Sequence, residues 1–258
     1  MTEKPYSDGV EAIFEVVHRL RAPGGCPWDR EQTHESLRPY LLEETYELLE
    51  AIDSGDDGKM MEELGDLLLQ VAMHAEIAAE SGRFDAAQVS EAVAAKMVKR
   101  HPHVFGDVSV ANAEEVLRNW EQQKMHESRK AGNDESVVDR VPATLPALAW
   151  ALGLQKRAAR VGFDFATPSA AAESVAEEAK ELAEVTDRDR AFEELGDLLF
   201  AIVSLARTLK VNPEDALRVA AQRFRSRFAA TEAAVRREGK TFTELSEAEM
   251  LQRWEESR

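Results

Sequence analysis

Residues Leu41 to Gln70 read LLEETYELLEAIDSGDDGKMMEELGDLLLQ, and this stretch decides the fold. It divides into two helical segments around SGDDG, whose Gly and Asp residues are turn formers. Both segments carry acids: Glu43, Glu44 and Glu47 on the first, Glu62, Glu63 and Asp66 on the second. At about 3.6 residues per turn, Glu43 and Glu47 share one helix edge, as do Glu44 and Glu47. Leu41, Leu48 and Ile52 mark the apolar side of the first helix. On the second, Leu64, Leu67, Leu68 and Val71 form a stripe beside Glu63 and Asp66. The two helices are expected to fold back antiparallel, with their carboxylates gathered near the bundle core. Like charges so placed repel, and a divalent cation is the usual remedy.

The same pattern returns in VAEEAKELAEVTDRDRAFEELGDLLFA, Val175 to Ala201. Glu177, Glu178 and Glu181 repeat the first triad at a spacing of 134 residues. Glu193, Glu194 and Asp197 repeat the second at 131, so the intervening loop is three residues shorter. A lone ExxE means little where 49 of 258 residues are acidic, but two copies of EExxE followed by EELGDLL are specific. Leucines rather than lysines flank these acids, which argues against a plain solvated face.

Composition narrows the function. A formal net charge of −17 opposes binding to nucleic-acid polymers or anionic membranes, while a small anion held through metal ions remains compatible. The single Cys26 excludes an internal disulfide framework and suits a reducing compartment. No apolar run approaches a membrane span, and residues 1–9 do not read as a signal peptide. The expectation is a soluble, cytoplasmic chain.

Along the chain, Val10 to Leu20 carries a helical apolar pattern and APGGCPWD reads as loop. A helix is expected over Thr33–Leu37, with Pro39 setting a kink or a fresh start. Ala86–Arg100 reads as helix, HVFGDVSV as loop, and Asn112-x-x-Glu115 as a helix start leading to Trp120 and Glu127. AGNDESVVDRVPATLP is polar and proline-punctuated, giving domains at 1–130 and 147–258 with a linker at 131–146. The second half follows with helices over Leu148–Arg160, Ala170–Val185, Arg190–Lys210 and Glu214–Arg237, then a short one from Ser246. Asn212-Pro213 supplies a cap and a first-turn proline. No segment alternates with a period of two, so the chain reads as all-α, two related bundles in tandem.

Other features recur beside the acids. Lys59 and Arg190 each stand four residues before Glu63 and Glu194. Lys96 and Arg100 match Arg223 and Arg227, a cationic pair one turn apart on the next helix. Trp28-Asp29 matches Phe163-Asp164, and Trp120-Glu121 matches Trp254-Glu255. Together these point to a nucleotide site: carboxylates holding Mg²⁺, basic side chains on phosphate oxygens, aromatics available to stack on a base. Blander roles stand beside these. Lys59 and Arg190 also fit ordinary i, i+4 ion pairs, and the tryptophans read first as packing anchors. Gly65 and Gly196, inside helices, read as points of close helix approach. His101-Pro102-His103 has no counterpart in the second half and reads as structural. A di-iron bundle is disfavoured, because the Glu-x-x-His matches at Glu15–His18 and Glu31–His34 lie outside the acidic stretches.

The chain resembles the MazG family of nucleoside triphosphate pyrophosphohydrolases, all-α enzymes related to dimeric dUTPases. The resemblance rests on GCPWD at Gly25–Asp29, LEETYEL at Leu42–Leu48, ELGDLL at Glu63–Leu68 and KRHPHVF at Lys99–Phe105. VGFD at Val161–Asp164 and EELGDLLFA at Glu193–Ala201 extend it to the second half. The family's ExxE…ExxD metal pattern falls on Glu44, Glu47, Glu63 and Asp66, and again on Glu178, Glu181, Glu194 and Asp197. Its basic phosphate ligands fall on Lys96, Arg100, Arg223 and Arg227, and its nucleotide contacts further involve Arg190 and Trp254. The resemblance implies two MazG-type bundles, a homodimer, and hydrolysis of an NTP or dNTP to the monophosphate and pyrophosphate. Mg²⁺, with Mn²⁺ as a possible substitute, would bridge the triphosphate, and Glu43 or Glu177 would orient the attacking water. Two alternatives remain at this point: an enzyme dedicated to a single dNTP, and a metal-dependent nucleotide sensor without turnover.

Overall fold

The computed structural model describes residues 6–112, 115, 116, 119, 120, 123 and 136–257. Glu121, Glu127 and residues 131–135 of the expected linker lie outside the described residues. The regular structure among the described residues is all helical, with no strand. The chain divides into two compact units, residues 1–132 and 133–258.

The first unit contains α1 (Glu11–Arg21), α2 (Pro27–Glu31), α3 (Arg38–Ser54), α4 (Asp57–Glu80), α5 (Ala86–Arg100) and α6 (Pro102–Phe105). Helix α4 is its hub, since α1, α3 and α5 all pack against it. Val17, Leu37, Ala72 and Met73 form the buried centre, with Ile13, Phe14, Leu69 and Ile77 around them. Fully burying a side chain such as Val17 or Leu37 contributes about 1.5–3 kcal/mol. The second unit contains α7 (Ala147–Arg160), α8 (Pro168–Glu184), α9 (Arg188–Thr208), α10 (Pro213–Arg237) and α11 (Glu247–Glu256). Here α9 is the hub, contacted by α7, α8 and α10, while α11 packs on α10. Residues 136–146 run onto α7: Val141 is buried, and Arg157 donates to the Val137 and Arg140 carbonyls at 3.3 and 3.1 Å.

Local chemistry sets the helix ends. Gly55, at φ 67°, closes α3 in the left-handed conformation that glycine adopts without strain. Asp56 then caps α4 by accepting from the Gly58 and Lys59 amides. Asp187 does the same for α9 from Asp189 and Arg190, so both acidic hairpins turn on an aspartate cap. Asn212 caps α10 ahead of Pro213, and Ser246 with Glu249 forms a capping box on α11. Asn112 accepts from the Glu115 amide at 3.0 Å, as its spacing predicts.

The structure departs from the sequence reading in several places. Thr33–Leu37 is a turn, because Thr33 and Ser36 exchange side-chain to backbone hydrogen bonds of 2.9 and 3.2 Å that compete with a helix. Two expected loops contain short helices, α2 and α6, each opened by a proline in the first turn. The apolar stripes are only partly covered: Leu41, Ile52, Leu64 and Val71 are exposed, while Leu48, Leu67 and Leu68 are half-buried. The positions α4 buries are Gln70, Ala72, Met73, Ala75 and Ala78, one step round the helix. Gly65 and Gly196 do not mark a close approach within either unit, since a Cβ at either would meet nothing within 4 Å. No described helix is long and apolar enough to cross a membrane.

Candidate active site

Each hairpin brings its acids together across the turn. In the first unit Glu44 on α3 and Glu63 and Asp66 on α4 each offer a carboxylate oxygen, and these lie within 4.8 Å of one another. In the second unit Glu178 on α8 and Glu194 and Asp197 on α9 form the same trio. The spacing Glu63/Asp66 and Glu194/Asp197 puts both acids of the second helix on one face, aimed at the facing acid.

The electrostatics match that crowding. Partial burial holds the Glu44 carboxyl above its ordinary range, with Asp66, Glu47, Glu63 and Glu43 adding repulsion. Glu63 is raised by burial and then by Glu47, Asp66 and Glu62. Glu178 is raised by burial and by Glu181, Asp197, Glu194 and Glu177. A trio of hard oxygen donors that repel one another suits a divalent cation, so the side chains present fit a metal of the magnesium or manganese kind.

The remaining predicted residues take flanking places. Glu47 and Glu181 stay exposed beside the trios, as do Glu43 and Glu177. Arg190 pairs with Glu194 at 3.3 Å, the i, i+4 contact its position allows, while Lys59 is exposed. Lys96 and Arg223 are exposed. Arg100 lies 6.0 Å from the Trp120 ring centre. Arg227 lies 3.9 Å over the Trp254 ring, and both its Nε and Nη2 donate to the Trp254 carbonyl. Trp254 also leans on Phe224, with centroids 5.3 Å apart. It therefore anchors Arg227 to α11. His101 has a structural bond, its Nδ1 lying 2.7 Å from the Met97 carbonyl.

A cavity of about 610 Å³ in the second unit includes Glu178 and Asp197 in its wall. That volume lies within the range of small-molecule sites. Phe163 and Asp164, on the loop after α7, line it together with Arg207 of α9. Arg207 forks onto Asp164, one arm at 2.8 Å, and this bond holds the Asp164 carboxyl below its ordinary range. Sequence reasoning found Phe163-Asp164 but missed Arg207, Gln155 and Ser204, which complete the wall. Only a fold brings them together: the Asp164–Arg207 contact spans 43 residues.

Comparison with known proteins finds relatives of the whole chain. A family model described as the MazG nucleotide pyrophosphohydrolase domain matches residues 32–105 and again residues 166–229. Each match contains one complete carboxylate trio. The chain is similar to the Thermotoga maritima protein named nucleoside triphosphate pyrophosphohydrolase/pyrophosphatase MazG, with 44% identity over 248 residues. That alignment covers 96% of this chain and 95% of the relative. It is likewise similar to the Escherichia coli K12 nucleoside triphosphate pyrophosphohydrolase, at 43% identity over 253 residues and 96% of each chain. Two family matches, each carrying an acidic trio, and relatives aligned over nearly their whole length establish that the chain belongs to the MazG family of nucleotide pyrophosphohydrolases.

Proposed function

We propose that the protein hydrolyses nucleoside triphosphates, ribo and deoxy, to the monophosphate and pyrophosphate by water attack at the α-phosphorus. The observation that carries this reading is a carboxylate trio in the wall of a nucleoside-sized cavity in the second unit. Glu178, Glu181, Glu194 and Asp197 would hold Mg²⁺, or Mn²⁺ in its place, and Glu44, Glu47, Glu63 and Asp66 the same in the first unit. Bound magnesium supplies counter-charge to the triphosphate and polarises the α-phosphorus.

The chain's own side chains do the rest. Glu177, exposed beside the trio, orients the water and takes its proton as the new P–O bond forms. Glu43 has that place in the first unit. The bond from the α-phosphorus to the bridging oxygen breaks, and pyrophosphate leaves with the electron pair. Arg223 and Arg227 offset the charge on the departing group, with Arg190 at the phosphate end and Lys59, Lys96 and Arg100 as their counterparts. Trp254 contributes by fixing Arg227.

The exposed apolar residues support a homodimer. Phe192, Leu195, Leu199 and Ile202 line one face of α9, and Met61, Leu64 and Val71 repeat three of these positions on α4. At 82% and 74% exposure, Phe192 and Met61 are far more open than isolated surface residues need to be, and a second copy would cover them. Twice the chain mass by light scattering is the expected result. The cytoplasm, where nucleoside triphosphates are made and used, is the proposed compartment.

The deciding experiment is pyrophosphate release across all common NTPs and dNTPs with Mg²⁺, Mn²⁺ or EDTA, run in ¹⁸O-labelled water. Label in the monophosphate and loss of turnover in EDTA are expected. Label in pyrophosphate would overturn attack at the α-phosphorus. Full turnover in EDTA would remove the metal, turnover of a single dNTP would mark a dedicated enzyme, and binding without turnover a sensor.

A further inference from the structure

The cavity of the second unit has a polar group that the hydrolysis does not use. Gln155, on α7, is only 7% exposed and lines the same cavity as Glu178 and Asp197. Its Nε2 donates to the Phe200 carbonyl at 2.8 Å. That bond fixes which way the amide faces, because a carbonyl cannot pair with the amide oxygen. Its Oε1 is consequently left buried without a partner, which is uncommon enough in native proteins to need a reason.

We propose that Gln155 is a specificity-determining residue whose Oε1 accepts a hydrogen bond from an N–H on the nucleobase of the substrate. This rests on the proposed function: if the acidic trio holds the triphosphate, the nucleoside is the part that extends along the cavity. Because Oε1 is screened from solvent, bulk water does not satisfy it. A base that reaches it parts the wall slightly and brings the missing donor.

An acceptor whose own donor is already engaged has a definite selectivity. Every standard base carries an N–H on its pairing edge: N6 of adenine, N4 of cytosine, N1 and N2 of guanine, N3 of uracil and thymine. Gln155 therefore reads the presence of an N–H and not the identity of the base, which makes the cavity general among standard nucleotides. Arg207 Nε is another partnerless polar atom of the same wall.

The test compares nucleotides that differ only in that N–H. Purine riboside triphosphate lacks the amino group of ATP, and pyrimidin-2-one riboside triphosphate lacks that of CTP. Both remove atoms, so a steric clash cannot explain a loss. With the unaltered protein and Mg²⁺, kcat/KM for each analogue should fall about tenfold or more below its parent. In Gln155→Met, of similar volume, the two ratios should collapse to within about twofold. Should that variant fail to fold, Gln155→Leu is read by the same two ratios in its place. Equal kcat/KM within each pair overturns the inference and leaves the proposed function standing. Discrimination that persists undiminished in folded Gln155→Met assigns the reading to another group and also overturns it. No pyrophosphate from ATP or CTP overturns both readings.

Discussion

The two units repeat one plan but secure their loops and cations by different bonds. In the first, Arg21 is buried and forks onto Glu80 at 2.8 and 2.7 Å, while also donating to the Asp29 and Gln32 carbonyls. This clamp ties α1 and the following loop to α4. In the second, the corresponding loop is held from α9, by Arg207 on Asp164. In the 131-residue register of the acids, Arg207 stands where the first unit has Glu76, which instead takes His18 at 2.7 Å. The basic pairs diverge too, Arg227 resting 3.9 Å over Trp254 and bonded to its carbonyl, Arg100 at 6.0 Å from Trp120. Helix α5 ends at Arg100, before His101-Pro102, whereas Arg227 lies mid-helix in α10. The acids are kept while their surroundings change, so under the proposed function the units would differ in how they hold a substrate more than in how they hold a cation. A clamp on a rigid element loses less to misplacement, which favours the second unit as the more active.

The largest expected effect separates the units outright. In full-length protein, Glu178→Gln/Glu181→Gln should lower turnover by at least ~10²-fold, as loss of electrostatic stabilisation does. Glu44→Gln/Glu47→Gln should leave most of it, measured as pyrophosphate release. The opposite ranking would reverse the comparison. Next, Trp254→Ala should cost about tenfold in turnover by releasing Arg227, while Trp120→Ala costs less than about twofold. Equal losses would mean that the ring distance has no consequence.

A smaller effect concerns stability alone. Arg21→Met strands Glu80, itself 40% exposed, and should destabilise the first unit by on the order of 2–3 kcal/mol, less than a fully buried pair would lose. Turnover at the second unit should persist, and denaturant melting followed beside an activity assay checks both. Glu80, held below its ordinary range by the Arg21 hydrogen bonds, should return toward it in the variant.

The smallest effect is a pH slope confined to the first unit. Arg83 approaches His34 Nε2 at 2.6 Å and can only donate, so His34 carries its proton on Nδ1 and gives it to His74 Nδ1 at 2.7 Å. Glu35 is the nearby acid on the His34 side. Burial, and then His34, push the His74 imidazole below its ordinary range. The unfolded chain therefore binds the proton more readily than the folded one. The stability this contributes is present above about pH 6.5, the unfolded value, and is lost as pH falls toward the folded one. His74→Leu, which installs the residue found at the equivalent Leu205, should flatten that slope in melting temperature against pH. An unchanged slope would mean that His74 titrates as it does unfolded.

What was legible in the sequence was local. Helix caps such as Asn212 and Ser246 act within three residues, and their spacing alone predicts them. The acidic trios were legible because a hairpin with a short turn leaves little choice of partner. The burial of the flanking leucines was not, since a stripe on a helix says that a face is apolar without saying what covers it. Leu64 and Val71 look like core and stand exposed. Gln155 and its bond to Phe200, 45 residues away, carried no sequence signal, because one glutamine in a helix resembles any other until its neighbours are known.

Gly65 and Gly196 bear on motion within the site. Each precedes a trio aspartate on the hub helix of its unit, and apart from the adjoining helix backbone and chain neighbours nothing lies within 4 Å of where a side chain would begin. A glycine inside a helix costs ~1 kcal/mol against alanine, and here no neighbouring element braces it. The backbone amides around Asp66 and Asp197 should therefore open locally more often than those farther along the same helices, where Ala72 and Val203 are buried. A ligand that ties these aspartates to the facing helix would close that opening. Amide exchange should then slow first at these two glycine-centred segments, leaving the already protected helix ends beyond them unchanged.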